Sequence, residues 1–592
     1  MKNLFLLLTM FFVSLLSSAQ YFKAISDTIY LVPGIKDTVD LTANDIIPPG
    51  DSIEILNVHI DPVWRQIILP EKKLVEFLAK WRLFTNGTVQ GYYILHRKGT
   101  ADTSRASLTC IFRDESYDSL YLNNVNALFM ACGYHLKKDY TCFEVPKGSG
   151  KGTIFAHSLW IGGIDENDQL RLAGYRYGQG PNGGPAFTKS DFLAGPVMDS
   201  MYYSLYTDTV WNYMWKLSKD EIEFHKANWN DPGYQPIYDI LTWPGNGDVS
   251  MGQAAELAPY IDVDPDGFYN PFQGDYPNIR GDQTLYFIFN DDRDIHTETE
   301  GNKMRVEIHG MAYVFDIPQD TAFSNTVFVN YKIINRSSHT YTGTYTGIYS
   351  DFDIGYNNDD YVGCDVERGM FFGYNGIPVD GTGQPFAYGA NPPVQAIVFL
   401  GGPLLTPDQR DNPAYVSGNC DILNTGYPID PFAINGYGFG DSIVDNERFG
   451  MTGFLYFNNS NAGVPYYMTD PSYANEYYLT LQGIWKDSTK MIYGGDGHVS
   501  TGGYGPECNY MFPGISDVCD WGTKGVPPYG PKLWTETTAG NNPQDRRGLG
   551  VIGPDTLRPG EEQELDLAFV FARDYIDPDT NASLEILIQS VD

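Results

Sequence analysis

Basic residues are scarce in this chain: 39 Lys and Arg stand against 74 Asp and Glu, giving a formal net charge of -35 over 592 residues. Nucleic acid requires clustered positive charge to neutralise phosphate, so the balance argues against it as a partner. Cysteine is sparse as well. Seven residues are too few for a disulfide scaffold in a chain this long, and neither CxxC nor a Cys/His zinc spacing occurs. Beyond the first residues, no stretch approaches the roughly 18 consecutive apolar residues of a spanning helix. The motifs GxSxG and HExxH, a Walker loop and a dinucleotide fingerprint are also missing. The lysine of GSGKG (148–152) lacks the framing of a phosphate loop and reads as a turn.

Aromatics and glycine are abundant, with 43 Tyr and 62 Gly, while long segments of helical period are few. That texture predicts many strands joined by Gly, Pro, Asn and Asp turns, hence a mostly β fold. Met1-Lys2-Asn3, an apolar run to Leu16 and Ser17-Ser18-Ala19 have the layout of a signal peptide cleaved after Ala19. An extracellular or outer-surface location is therefore expected, without a lipid-bearing cysteine after the cut. The predicted organisation is a signal peptide over 1–20, a first module over 21–118, a β-rich region with a short helix over 119–325, and a β-sandwich region over 326–592. The helix is placed at 218–229, where Ser218 and Glu221 make a capping box and Asn230-Asp231-Pro232-Gly233 stops it. A second helix-like stretch covers 71–81.

Alternation at Val327, Val329, Tyr331 and Ile333 predicts a strand over 326–334, turned at 335–338 and returned as a hairpin over 341–349. A turn over 553–560 followed by a strand over 563–572 reads as another hairpin. Sequence separation makes Cys132–Cys142, Cys508–Cys519 and Cys364–Cys420 candidate bridges, and leaves Cys110 as a buried thiol.

Acidic residues gather in three places. Asp262, Asp264 and Asp266 alternate before Gly267, with the Phe268 carbonyl following, as in loops that wrap oxygen ligands around calcium. Position twelve is Gln273 rather than a bidentate Glu, so closure of the shell falls to Asp275 or another element. A metal-free Asp/Gly turn fits the same residues. Asp351, Asp353, Asp359, Asp360 and Asp365 form a second cluster, either a calcium site or a solvated loop. Asp291, Asp292, Asp294 and His296 read chiefly as a solvated loop tip, with ligands or a catalytic acid pair as the alternative. Trp160, Trp211, Trp215, Trp243 and Trp485, with Tyr pairs such as Tyr466-Tyr467 and Tyr477-Tyr478, serve either as sandwich core or as sugar-stacking platforms.

Two resemblances add to this. The string VDLTANDIIPPGDSIEILNV (39–58), NGTV (86–89) and the strand 106–113 resemble bacterial cadherin-like and immunoglobulin-like repeats, which implies a spacer or adhesive module. The stretches 143–163, 274–291, 331–338, 359–369 and 483–495 resemble large surface proteins of bacteria that use type IX secretion. That resemblance implies export by the type IX machinery, with a C-terminal sorting domain expected beyond Asp592 in a longer chain. Asp-Ser/Thr-apolar triplets recurring from Asp27 to Asp555 resemble the O-glycosylation signal of the same bacteria, though simple strand-entry chemistry would also produce them.

The expectation is an immunoglobulin-like or cadherin-like sandwich followed by one or two large decorated β-sandwiches with a short surface helix. The expected role is calcium-stabilised binding, adhesion or surface structure, with extracellular glycans or surface proteins as partners and no nucleic acid or membrane span. The alternative is a secreted hydrolase of glycans or proteins.

Overall fold

The computed structural model describes residues 22–31, 36–60, 65–69, 73–78, 87–112, 116–135, 142–184, 188–416, 420, 431–460, 463–528, 530, 532–577 and 581–592. The expected signal peptide and its cleavage point lie outside them. The chain divides into two compact units, residues 1–115 with 204–210, and residues 116–203 with 211–592.

In the first unit, a four-stranded sheet runs Asp27–Leu31, Thr103–Phe112, Gly87–Arg97, Ile53–His59, and a three-stranded sheet runs Lys36–Asp40, Leu74–Leu78, Arg65–Ile68. Both sheets feed one core: Val75 and Phe77 come from the smaller, and Tyr93, Leu95, Leu108 and the buried thiol Cys110 from the larger. The helix-like reading of 71–81 is corrected here. Leu74–Leu78 is a strand whose Val75 and Phe77 are buried while Glu76 between them is not, a period of two.

The second unit is built on two nine-stranded sheets. The first runs Gly453–Asn458, Arg546–Leu557, Tyr341–Phe352, Gly152–Ile164, Phe143–Glu144, Asn126–Met130, Tyr117–Leu120 along its main path. The second runs Leu193–Ala194, Gln283–Asn290, Val306–Val314, Thr326–Asn335, Glu562–Ala572, Val394–Gly401, Met370–Asn375, Asp360–Asp365. The two share a continuous core, in which Phe129 meets Phe287, Phe143 meets Phe569 and Phe352 meets Phe371, with ring centroids 5.8–6.2 Å apart. The expected alternation holds, because Val327, Val329, Tyr331 and Ile333 all point into this core.

Both expected hairpins are corrected. Thr326–Asn335 pairs with Val306–Val314 and Glu562–Ala572 in one sheet, while Tyr341–Phe352 pairs with Gly152–Ile164 and Arg546–Leu557 in the other. Likewise Arg546–Leu557 and Glu562–Ala572 lie in different sheets. The short connections are corners between layers. Both strands of each pair are mostly buried, which a hairpin with one wet face would not provide.

The outer face of the second sheet is covered twice. The helix Ala582–Val591 packs Leu587 against Val398, Ala568 and Val570. Elsewhere Trp215, Leu217, Ile222, Ile240 and Trp243 pack on Tyr286, Ile288 and Met311. This second cover contains the helix Lys219–Asn228, started by the Ser218/Glu221 capping box. It also presents the 262–275 loop.

Candidate functional site

The 262–275 loop is closed at its base by two short strands, Tyr260–Ile261 against Tyr276–Pro277, which bring Asp262 and Asp275 together. Gly274 before Asp275 has φ +103°, and a Cβ there would stand 2.9 Å from the Trp229 ring, so only glycine fits. Asp275 is fully buried. Its two oxygens accept the backbone N–H groups of Val263 and Asn270, each at 2.8 Å, which pins the loop from inside. Asp262 Oδ2 accepts the Gly267 N–H at 2.8 Å, and Asp264 Oδ2 accepts the Gln273 side-chain amide.

That leaves Asp262 Oδ1 and Asp264 Oδ1, both shielded from solvent and without a hydrogen-bond partner. Asp262, Asp264 and Asp275 each offer one oxygen, all within 4.8 Å of one another. Oxygens on opposite sides of a calcium ion are separated by roughly 5 Å, twice its usual bond length, so the spacing suits that ion. Burial, and then the charges of Asp266, Asp275 and Asp262, raise the Asp264 pKa, as repulsion among carboxylates requires. Asp266 is not one of the three carboxylates that come together: it is exposed, and its carboxylate turns back to the Phe268 N–H at 2.8 Å.

Of the second acidic cluster, Asp351 and Asp353 come together, and the residue that joins them is Asp545. Antiparallel pairing sets Asp351 opposite Arg547, so the strand entry places Asp545 beside it. Arg547 already stands among these carboxylates. Its Nε lies 3.2 Å from Asp351 Oδ1 and its Nη1 lies 2.8 Å from Asp545 Oδ1. Tyr177 donates to Asp351 at 2.7 Å, and Asn459 to Asp545 at 2.8 Å. Burial nonetheless lifts Asp351 to about 7, against the pull of Arg547. Burial, with the charges of Asp351 and Asp545, also raises Asp353 well above the usual carboxylate range. A resident guanidinium makes this group a weaker cation site than the 262–275 loop.

Asp359, Asp360 and Asp365 do not join it. Asp360 and Asp365 sit at opposite ends of one strand, and five residue steps separate them by roughly 17 Å. All three are engaged by neighbours of their own. Asp359 accepts from Gly381 N, Asp360 accepts from Ile354 N, and Asp365 pairs with Arg368 at 3.0 Å.

The third acidic group is a solvated loop tip only in part, with Asp294 exposed and Asp292 half-buried. Asp291 and His296 are buried, and the Asp291 carboxylate accepts the Met304 and Val306 N–H groups at 2.6 and 2.7 Å. The two His296 nitrogens lie 2.8 Å from the Leu172 carbonyl and 3.0 Å from that of Asp291. Two carbonyls ask for two N–H donors, which only the imidazolium has. Burial opposes that charge, but the hydrogen bond with Asp291 and the Asp191 and Asp291 charges outweigh it, raising the pKa to about 9.

The aromatic residues divide. Trp160, Trp215, Trp243, Trp485 and Tyr477 are core, whereas Tyr466 is exposed. A cleft of about 770 Å³ opens elsewhere, lined among others by Phe432, Gln482, Lys490, Asn509, Tyr510 and Trp521. The Cys420–Cys519 disulfide lines it too. This bridge replaces both expected pairings of those two residues, and Cys364 and Cys508 are buried thiols. Asp545, Arg547 and the cleft had no sequence signal, because each depends on partners from distant strands. Compared with known proteins, the chain matches no family model and no curated sequence.

Proposed function

We propose that this chain is a secreted or cell-surface β-rich protein, stabilised by calcium at the 262–275 loop, that acts in binding, adhesion or surface structure as type IX secretion cargo. The observation that carries the reading is the pair of shielded oxygens without a donor, Asp262 Oδ1 and Asp264 Oδ1, on carboxylates that with Asp275 can each bring an oxygen within 4.8 Å of the others. A hard cation satisfies both at once, and extracellular modules with weak sites are filled at millimolar calcium. The binding part is supported by the cleft, whose lining sets the aromatic residues Trp521, Tyr510 and Phe432 beside the amides of Gln482 and Asn509, a mixture that suits glycans. Export is supported by the signal-peptide layout and the type IX-like stretches of the sequence.

The test is a thermal melt in EDTA and then in millimolar calcium. A ligand that binds only the native state at 100 times its Kd adds about 2.7 kcal/mol, a shift of several degrees. Calcium is expected to raise the melting temperature of the natural chain and not that of an Asp262→Asn, Asp264→Asn double variant. An identical melt in EDTA and calcium would sink the calcium reading.

A further inference from the structure

A different constellation lies in the loops after the helix Ala474–Leu481. Asp487 opens a tight turn, its Oδ1 accepting from Thr489 N at 3.0 Å and Thr489 Oγ1 at 2.6 Å, so the carboxylate is fixed. Its Oδ2 stands 3.0 Å from His498 Nε2. The imidazole is buried and stacked on the Tyr467 ring, centroids 3.8 Å apart. On the other side of the ring, Nδ1 lies 3.1 Å from the backbone nitrogen of Ser500 and 2.7 Å from its Oγ. A backbone N–H can only donate. Nδ1 is therefore the acceptor, and the ring proton sits on Nε2, facing Asp487. Ser500 itself is exposed, and the Tyr467 hydroxyl is 2.9 Å from its Oγ. A hydroxyl in reach of an imidazole lone pair, with that imidazole oriented by a carboxylate, is the arrangement that activates serine.

We propose that Ser500, His498 and Asp487 form a serine-type esterase site for solvent-accessible carboxylic esters with small acyl groups. Ser500 is the nucleophile, His498 the general base and Asp487 a positioning residue. The Oγ–H bond breaks and its proton passes to His498 Nδ1 as Oγ bonds to the acyl carbon, the Ser500 N–H giving up its hydrogen bond to that nitrogen. The oxyanion that forms takes a hydrogen bond from the Tyr467 hydroxyl. Collapse breaks the bond to the alcohol, which leaves with the proton from Nδ1. Water then attacks the acyl-serine, Nδ1 takes its proton and returns it to Oγ, and the carboxylic acid departs. Approach is from solvent, beside the exposed Val499. With a single oxyanion donor the site suits esters rather than amides, because an alkoxide leaves more readily than an amine anion. The proposal does not depend on the calcium reading. His498 also caps the single turn Val499–Thr501 through the Ser500 N–H, and that structural role needs neither the Ser500 hydroxyl nor Asp487.

The test treats the full chain with a fluorophosphonate probe, maps the adduct by mass spectrometry, and follows p-nitrophenyl acetate hydrolysis. The expected result is a phosphonyl group on Ser500, and hydrolysis that falls about 100-fold in Ser500→Ala and in Asp487→Asn. Ser500 is exposed and its hydroxyl is not needed for the cap, so Ser500→Ala should melt like the natural chain. Absence of an adduct on Ser500, or a Ser500→Ala variant that hydrolyses the ester at the natural rate, would overturn the proposal.

Discussion

A single imidazole illustrates what burial does to charge in this protein. His296 is held between Asp191 and Asp291, at 3.7 and 3.4 Å, with its pKa raised to about 9. A group whose pKa is higher folded than unfolded contributes stability that is complete below the unfolded value, near 6.5, and is lost as pH rises through the folded value. The window is thus pH 6.5 to 9, and the contribution at stake is about 3 kcal/mol. Urea midpoints measured from pH 6 to 10 should fall more steeply for the natural chain than for His296→Gln, which carries no titrating ring. Parallel curves would refute the charged assignment. At this scale the sequence was legible only where ligands are close in the chain. Asp262 and Asp264 follow from alternation before a glycine, whereas Asp275 was one option for closing the shell and Asp266, which the same alternation includes, is not in the group. Asp545 is invisible beside Asp351 because strand register, not spacing, joins them.

Individual elements were easier to anticipate than their partners. The helix Lys219–Asn228 begins with the Ser218 hydroxyl accepting from Glu221 N and the Glu221 carboxylate accepting from Ser218 N. Ser218→Ala should cost about 1 kcal/mol, read as a lower denaturation midpoint, since it orphans an amide at the first turn. An unchanged midpoint would show that the buried Ile222 and His225 hold the helix without the cap. Periodicity also disclosed the strands Thr326–Asn335 and Glu562–Ala572, because alternation reports which face is buried. It does not report which sheet receives the next strand. The connections at 336–340 and 558–561 are short enough for hairpins, and only the burial of both flanking strands on both faces distinguishes a corner from a turn. Over 71–81, the apolar residues suited either period until pairing on both sides of Leu74–Leu78 decided for a strand.

For the whole molecule, mostly β architecture follows from composition, whereas long-range closure does not. Cys420 and Cys519 are 99 residues apart in sequence, and a closed loop of about that size restricts the unfolded chain by up to roughly 4–5 kcal/mol. A Cys420→Ser, Cys519→Ser variant should melt several degrees lower than the natural chain under oxidising conditions and match it in reductant. Equal melting under both conditions would mean that the bridge leaves the unfolded ensemble unconstrained. The corners between layers have a further consequence for synthesis. Thr326–Asn335 waits for Glu562–Ala572, and Tyr341–Phe352 waits for Arg546–Leu557, so the middle of each sheet is completed by residues made about two hundred positions later. A ribosome adding about 5–20 residues per second must deliver nearly the entire polypeptide before either layer can close. Until then the large unit is an open chain whose strand edges lack their neighbours.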